Sequence, residues 1–186
     1  MKVLIIAAHP DDEILGCGAT ISKHKRAGDQ VKIMIITGKR GTRLDQKLDT
    51  VPILSINKKI EKVISKFKPQ RVYTHYIHDL NEDHQIVSKA TLVAARPQSG
   101  VSEILFFEVP SATEYAIKNF SPTYYNEITD VDLNFKISSM NKLYKSELRK
   151  WPHPRSNENI KLLAQKRGGE VMKNLAEAFQ VVRIIK

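Results

Sequence analysis

The chain has 186 residues, of which 41% are hydrophobic and 27% are charged, and this balance predicts a single folded domain over residues 1–186 rather than a disordered segment. Its net charge of +10 comes from Lys and Arg residues interleaved with acids, so we expect solvated helix faces and no nucleic-acid partner. The apolar run in "MKVLIIAAHPDDE" is too short for a signal peptide, and no run reaches the roughly 20 apolar residues of an integral membrane segment. We therefore expect a cytoplasmic protein, and its one cysteine, Cys17, predicts no internal disulfide.

The first elements indicate a parallel sheet. A continuous apolar run at residues 2–7 predicts a strand that is buried on both faces. Residues 14–27 predict a helix that stops at Gly28, and residues 31–38 predict a second buried strand. A helix between two strands supplies the crossover that parallel pairing requires.

The rest of the chain continues this alternation. An apolar stripe predicts a helix over residues 51–69, closed by Pro69. Strands are predicted at 71–75 and 102–109, and helices at 83–96, 132–148 and from Ser156 to about Phe179, with a final strand at 181–185. We therefore predict an α/β fold, a three-layer α/β/α sandwich with a mostly parallel, Rossmann-like sheet.

Three polar loops follow the first three predicted strands. They are "HPDDE" at 9–13, "TGKRG" at 37–41 and "THYIHDLNEDH" at 74–84. In such sheets ligands bind beyond the carboxyl ends of the strands, so we expect these loops to meet at one edge.

The residue types in these loops predict a catalytic metal site. Two histidines and a carboxylate that leave a coordination position open are typical of catalytic zinc, and His9, Asp12 and His84 are the predicted ligands. Asp11 is then the general base for the metal's water. The same donors accept other divalent metals, including iron, cobalt and nickel. Taken singly, a histidine at a strand end is also compatible with a surface or capping role. Acidic residues before a helix also stabilise its N-terminus by compensating the helix dipole.

The pairing of "AAHPDDEILGCG" with "THYIHDLNEDH" resembles the PIG-L/LmbE-like family of zinc-dependent N-acetylglucosaminyl-type deacetylases. Further segments, "FFEVPSATEY" and "KSELRKWPHPRS", are similar to a bacterial LmbE-like subgroup, so the resemblance covers nearly the whole chain. It implies that His9, Asp12 and His84 hold Zn²⁺ and that Asp11 is the base. It also implies hydrolytic removal of the acetyl group from an N-acetylated amino sugar or sugar conjugate.

The chain departs from the family at Asn81, where many members carry a histidine. Asparagine cannot transfer a proton, although it can hold an oxyanion or a substrate hydroxyl. His153 is our candidate for the missing acid, and Arg155 for an anion holder, while the prolines around His153 suit a structural turn equally well. Asp83 either orients a neighbouring side chain or caps a helix. Arg96 is a further candidate for contact with the substrate.

A second departure is the apparent deletion of a βα unit near residues 41–45. The case for Lys39, Arg40 and Arg43 as substrate-binding residues is therefore weak.

One alternative function stays open because of these departures, a non-catalytic carbohydrate or nucleotide-sugar binding protein that retains the metal site. A nucleotide-binding module is disfavoured because no glycine-rich phosphate motif follows the first strand. The sequence also leaves a homo-oligomer open.

Overall fold

The computed structural model describes residues 1–37 and 48–186. Its strands are β1 (Lys2–Ala7), β2 (Gln30–Ile35), β3 (Arg71–His75), β4 (Glu103–Phe107), β5 (Tyr124–Glu127) and β6 (Ala176–Ile184). Its α-helices are α1 (Asp12–Arg26), α2 (Ile53–Phe67), α3 (Glu82–Ala94), α4 (Asp130–Leu143) and α5 (Asn157–Gly169). Lys39, Arg40, Arg43 and the proposed deletion near 41–45 lie outside the described residues.

The six strands form one sheet in the order β2-β1-β3-β4-β6-β5. The pairs β1–β2, β1–β3 and β3–β4 are parallel, whereas β6 is antiparallel to both of its neighbours. Only β6 therefore runs against the other five strands, which confirms the predicted mostly parallel sheet.

Helices cover both faces of the sheet and bury two separate cores. Alternate residues of β1 point to opposite faces, so Val3 and Ile5 pack with α1, α4 and α5, while Leu4 and Ile6 pack with α2 and α3. All four of these side chains are fully buried. The three-layer arrangement is thus a direct consequence of the uninterrupted apolar run in the first strand.

The site region is fixed by the strand order. From β1 the chain passes through α1 to β2 on one side, and it returns through α2 to β3 on the other side of β1. The reversal opens a crevice beyond the carboxyl ends of β1 and β3, where ligands bind in open α/β sheets. Among the described residues no helix is long and apolar enough to cross a membrane.

Three details of the sequence prediction were wrong. The predicted buried strand at 31–38 is the edge strand β2, where Ile33 remains 42% exposed. The last helix ends at Gly169 and not near Phe179. There the chain turns back so tightly that a Cβ on Gly168 would lie 2.6 Å from the Lys173 carbonyl oxygen. The short strand β5 was not predicted at all.

Candidate metal centre at the carboxyl ends of β1 and β3

The predicted metal ligands come from two loops that the sheet places side by side. His9 follows β1, and Asp12 is the first residue of α1. His84 lies in the first turn of α3, a few residues after β3. Because β1 and β3 pair in parallel register, with Ile5 opposite Tyr73, their following loops converge.

The three side chains form a compact cluster. Nδ1 of His9 and Nε2 of His84 each lie 3.3 Å from Oδ2 of Asp12. One ligand atom from each of the three residues lies within 4.8 Å of the others. The two imidazole rings are 5.5 Å apart between centroids, so both can face one small ion.

A second carboxylate lies behind each histidine. Nε2 of His9 is 2.8 Å from Oδ2 of Asp83, whose other oxygen accepts a hydrogen bond from the Leu48 amide. Nδ1 of His84 is 3.1 Å from Oδ1 of Asp79, which is itself buried. Each histidine thus has one ring nitrogen facing Asp12 and the other facing a carboxylate, an arrangement common to metal-binding histidines.

The electrostatics of this cluster favour a positive charge at its centre. Burial lowers the pKa of His84, but the carboxylates of Asp12 and Asp79 outweigh this effect and raise it to about 9. Burial likewise lowers the pKa of His9, and contacts with Asp12 and Asp83 raise it overall. Protons on the imidazoles therefore supply the charge that a metal ion supplies when it is bound.

The donor set fits a divalent metal ion. Within residues 1–37 and 48–186, Oδ1 of Asp12 is buried and has no hydrogen-bond partner, and Nε2 of His84 faces Oδ2 of Asp12 as an ion pair without a well-aligned hydrogen bond. Buried polar atoms are normally satisfied, so such orphans require an explanation. Two imidazole nitrogens and one carboxylate oxygen are the donors of open catalytic zinc sites.

Hydrogen bonds fix the loop that carries these ligands. The His9 amide donates to Oδ2 of Asp12, and the Asp11 amide donates to Glu13. Glu13 in turn accepts a hydrogen bond from the Tyr144 hydroxyl at 2.7 Å. Asp11 has a φ of +113°, a strained value for a residue with a side chain. The loop therefore has an unfavourable backbone angle next to Asp12, a predicted metal ligand. Such strain is often found at functional sites.

Arg155 reaches this loop from the other end of the chain. Its guanidinium donates to Oδ2 of Asp11 at 3.1 Å and to the Ser111 hydroxyl at 2.6 Å. Ser111 also has a positive φ, of +74°. The predicted anion holder thus contacts the predicted general base.

The other predicted site residues lie in three different places: beside Arg155, at the start of α3 and beyond the end of α3. His153 is exposed, and its Nδ1 accepts a hydrogen bond from the Arg155 amide. His153 and Arg155 therefore lie in the same turn. Asn81 caps α3 through the Asp83 amide. Arg96 is not brought to the cluster, because it follows the carboxyl end of α3 while His84 lies near the start of this 13-residue helix.

Sequence reasoning missed His75, the last residue of β3. It is fully buried, and its Nε2 accepts a hydrogen bond from the Ala8 amide at 2.8 Å. Its ring also stacks on His84. Burial lowers the pKa of His75 well below its usual value, so the ring is neutral. The sequence feature that could have identified His75 is its position at the end of a buried strand, at the edge of the sheet where ligands bind.

The fold and the cluster define an α/β protein with a candidate metal centre at its topological switch point. The family model described as "PIG-L: GlcNAc-PI de-N-acetylase" matches residues 4–46. The "Uncharacterized deacetylase YaiS" of Escherichia coli (strain K12) is 26% identical over 171 residues, which span 75% of this chain and 89% of that protein. These matches confirm the resemblance to the PIG-L/LmbE-like family.

Solved structures agree on the fold. The N,N'-diacetylchitobiose deacetylase from Pyrococcus horikoshii superimposes with a TM-score of 0.68 at 18% identity, over 98% of this chain and 84% of that one. GalB, the 4-carboxy-2-hydroxymuconate hydratase from Pseudomonas putida KT2440, gives a TM-score of 0.74 at 17% identity, over 100% and 98%. At these identities the likeness shows the fold alone, and the two neighbours bear names of different reactions.

Proposed function

We propose that this protein is a zinc-dependent N-deacetylase that removes the acetyl group from an N-acetylated amino sugar or sugar conjugate. The observation that carries the proposal is the cluster of His9, Asp12 and His84, whose ligand atoms lie within 4.8 Å of one another beside Asp11. The deacetylase names of the matching family and of the Escherichia coli relative support this reaction over other hydrolyses.

In this proposal His9, Asp12 and His84 hold the ion. A zinc ion in such a site acidifies a water molecule and polarises a carbonyl group. Asp83 and Asp79 keep the two imidazoles oriented through their outer nitrogens. Other divalent ions suit the same donors, and metal analysis of the purified protein identifies the native one.

The remaining roles belong to Asp11, to Arg155 that contacts it and to His153 in the segment of Arg155. Asp11 accepts the proton of the water that attacks the amide carbonyl, and Arg155 holds the Asp11 carboxylate in place. When the C–N bond breaks, His153 protonates the departing amine. His153 donates as an imidazolium, and the proton that Asp11 took from water then restores it, so the step consumes no net proton. The products are acetate and a free amine.

The test measures acetate released from N-acetyl-D-glucosamine and its simple glycosides by wild-type, Asp11→Asn and His84→Ala proteins. We expect about one zinc per chain in the wild type and in Asp11→Asn, and a loss of zinc in His84→Ala. Both variants should lose acetate release. His78→Ala is the matched control, because His78 is exposed and outside the cluster. It should keep both zinc and activity.

Several outcomes would contradict the proposal. Equal rates for wild type and Asp11→Asn would remove the assigned base. Bound zinc without acetate release from any substrate would favour the non-catalytic sugar-binding alternative. Addition of water to an unsaturated acid, in place of amide hydrolysis, would give the chain a reaction of the kind named for GalB.

A further inference from the structure

A second concave site adjoins the metal centre. A cleft of about 510 Å³ lies between the segment that follows β4 and one face of α5. Its apolar lining is made by Val109, Pro110, Pro154, Leu162 and Leu163. This volume is in the range of small-molecule pockets.

The acidic groups along the cleft are already engaged. Both oxygens of Glu108 accept hydrogen bonds from Arg167, at 2.7 and 2.6 Å. Both oxygens of Glu114 accept backbone amides, those of Ser111 and Ala112. Lys166 and Asn159 add polar groups at the α5 side of the cleft, and the rest of its open surface is apolar, with Leu162 48% exposed.

The cleft begins one side chain away from the candidate base. The guanidinium of Arg155 lies between them: Nε donates to the Pro110 carbonyl and the Ser111 hydroxyl, and its NH1 group donates to Asp11. On the inner side, Thr113 of the cleft donates to Oδ2 of Asp79, the carboxylate behind His84. One guanidinium thus separates the candidate base from the cleft, and a ligand that occupies both has to pass Arg155.

We propose that this cleft binds an apolar aglycone of the substrate, with an aryl group as the class that fits it. This inference rests on the proposed function, because it assigns the part of the same substrate that lies beyond the sugar. An aryl ring on the sugar would cover Leu162 and the two prolines, and burial of this apolar surface favours binding.

The kinetic test compares two substrates that differ only in the aglycone, methyl and phenyl N-acetyl-β-D-glucosaminide. For the wild-type zinc protein we expect kcat/KM to be at least about tenfold higher for the phenyl glycoside. Leu162→Asp should bring the ratio of the two values down to about one. Leu143→Asp is the control, because Leu143 is 68% exposed at the end of α4 and outside the cleft. It should keep the wild-type ratio.

A second measurement does not depend on catalysis. Calorimetry should detect binding of phenyl β-D-glucopyranoside, which has no acetyl group, to wild type and Leu143→Asp but not to Leu162→Asp. Acetate release without a phenyl preference would overturn the cleft assignment and leave the deacetylase proposal standing. Leu162-dependent phenyl binding without acetate release from either glycoside would reject the deacetylase proposal and support the cleft. Equal losses in both Leu variants would also overturn the cleft assignment.

Discussion

The ring of His75 stacks on that of His84, with centroids 3.9 Å apart and planes inclined by 22°. The same His75 accepts a hydrogen bond from the Ala8 amide, next to His9. One neutral, fully buried imidazole therefore contacts the two chain segments that supply the proposed metal ligands. Because its contacts are with the elements that hold His9 and His84, we regard it as a positioning residue.

This relationship predicts that His75→Phe weakens metal binding while preserving the stacked ring. The Ala8 amide would lose its acceptor, which costs about 1–3 kcal/mol of unfolding free energy for a buried donor. We expect zinc affinity to fall about 10–100-fold, as for other residues that orient metal ligands. Competition with a chelator measures the affinity. His78→Phe, at an exposed position, should bind zinc as the wild type does, and an unchanged affinity in His75→Phe would disprove the role.

A second prediction concerns Arg155, which contacts Asp11 and Ser111 but none of the proposed metal ligands. Arg155→Met should lower kcat/KM for deacetylation about 10–100-fold, because the base would lose its fixed position. Zinc content should not change. Arg155→Lys should recover part of the activity, since lysine keeps the charge but not the forked geometry.

The control for Arg155 is Arg149→Met in the same segment. Arg149 is exposed, and its guanidinium donates to the Ser146 and Leu148 carbonyls. We expect near wild-type kinetics for this variant. If Arg155→Met is as active as Arg149→Met, then Arg155 does not position the base.

A third prediction tests the packing of α1 against the sheet. A Cβ at Gly16 would lie 2.3 Å from Cδ2 of Phe107, which is fully buried and packs on His75. Gly16→Ala should therefore destabilise the fold by about 1–3 kcal/mol through overpacking. Gly169→Ala is the matched control, because nothing lies within 4 Å of its added Cβ. Urea unfolding should show it to be neutral or slightly stabilising, and similar midpoints for the two variants would contradict this.

A fourth prediction concerns pH and Asp132, which caps α4. Burial raises the pKa of Asp132, but hydrogen bonds from Arg26 and Thr129 outweigh this and hold it well below its usual value. A lowered folded-state pKa means that the carboxylate stabilises the protein above the unfolded value of about 4, and that this stabilisation is lost as the pH falls further.

Asp132→Asn should accordingly cost about 1–3 kcal/mol at pH 7, and the difference from wild type should shrink as the pH drops below about 4. Thermal unfolding at a series of pH values measures it. Asp130→Asn, at an exposed position in the same helical turn, should have little effect at any pH. A constant difference between wild type and Asp132→Asn across the series would refute the assignment.

Much of the geometry of the candidate metal centre could be predicted because two local patterns determine it. An uninterrupted apolar run gives a strand buried on both faces, and the parallel sheet then brings the loop of His9 to the loop of His84. Asp83 was expected to orient a side chain or cap a helix, and the structure places it against His9.

The contacts that escaped prediction depend on packing between distant segments. Arg155 contacts Asp11 although the two residues are 144 positions apart in the sequence. No periodic pattern in the sequence indicates this contact. Arg96 was a candidate because its segment, "AARPQ" at residues 94–98, resembles the bacterial LmbE-like subgroup. The 13 residues of α3 carry it about 20 Å from the helix start. β5 was missed because its four residues, "YYNE", are too few to show an alternating pattern.

The split of the proposed ligands between residues 9–12 and residue 84 also bears on biosynthesis. A nascent chain that has emerged only as far as α2 contains two of the three proposed ligands and none of the sheet contacts that align them with the third. Ion capture must therefore wait until β3 has docked beside β1. A ribosome-bound fragment ending before His84 should retain no tightly held metal, so loading would report that the central strands have assembled.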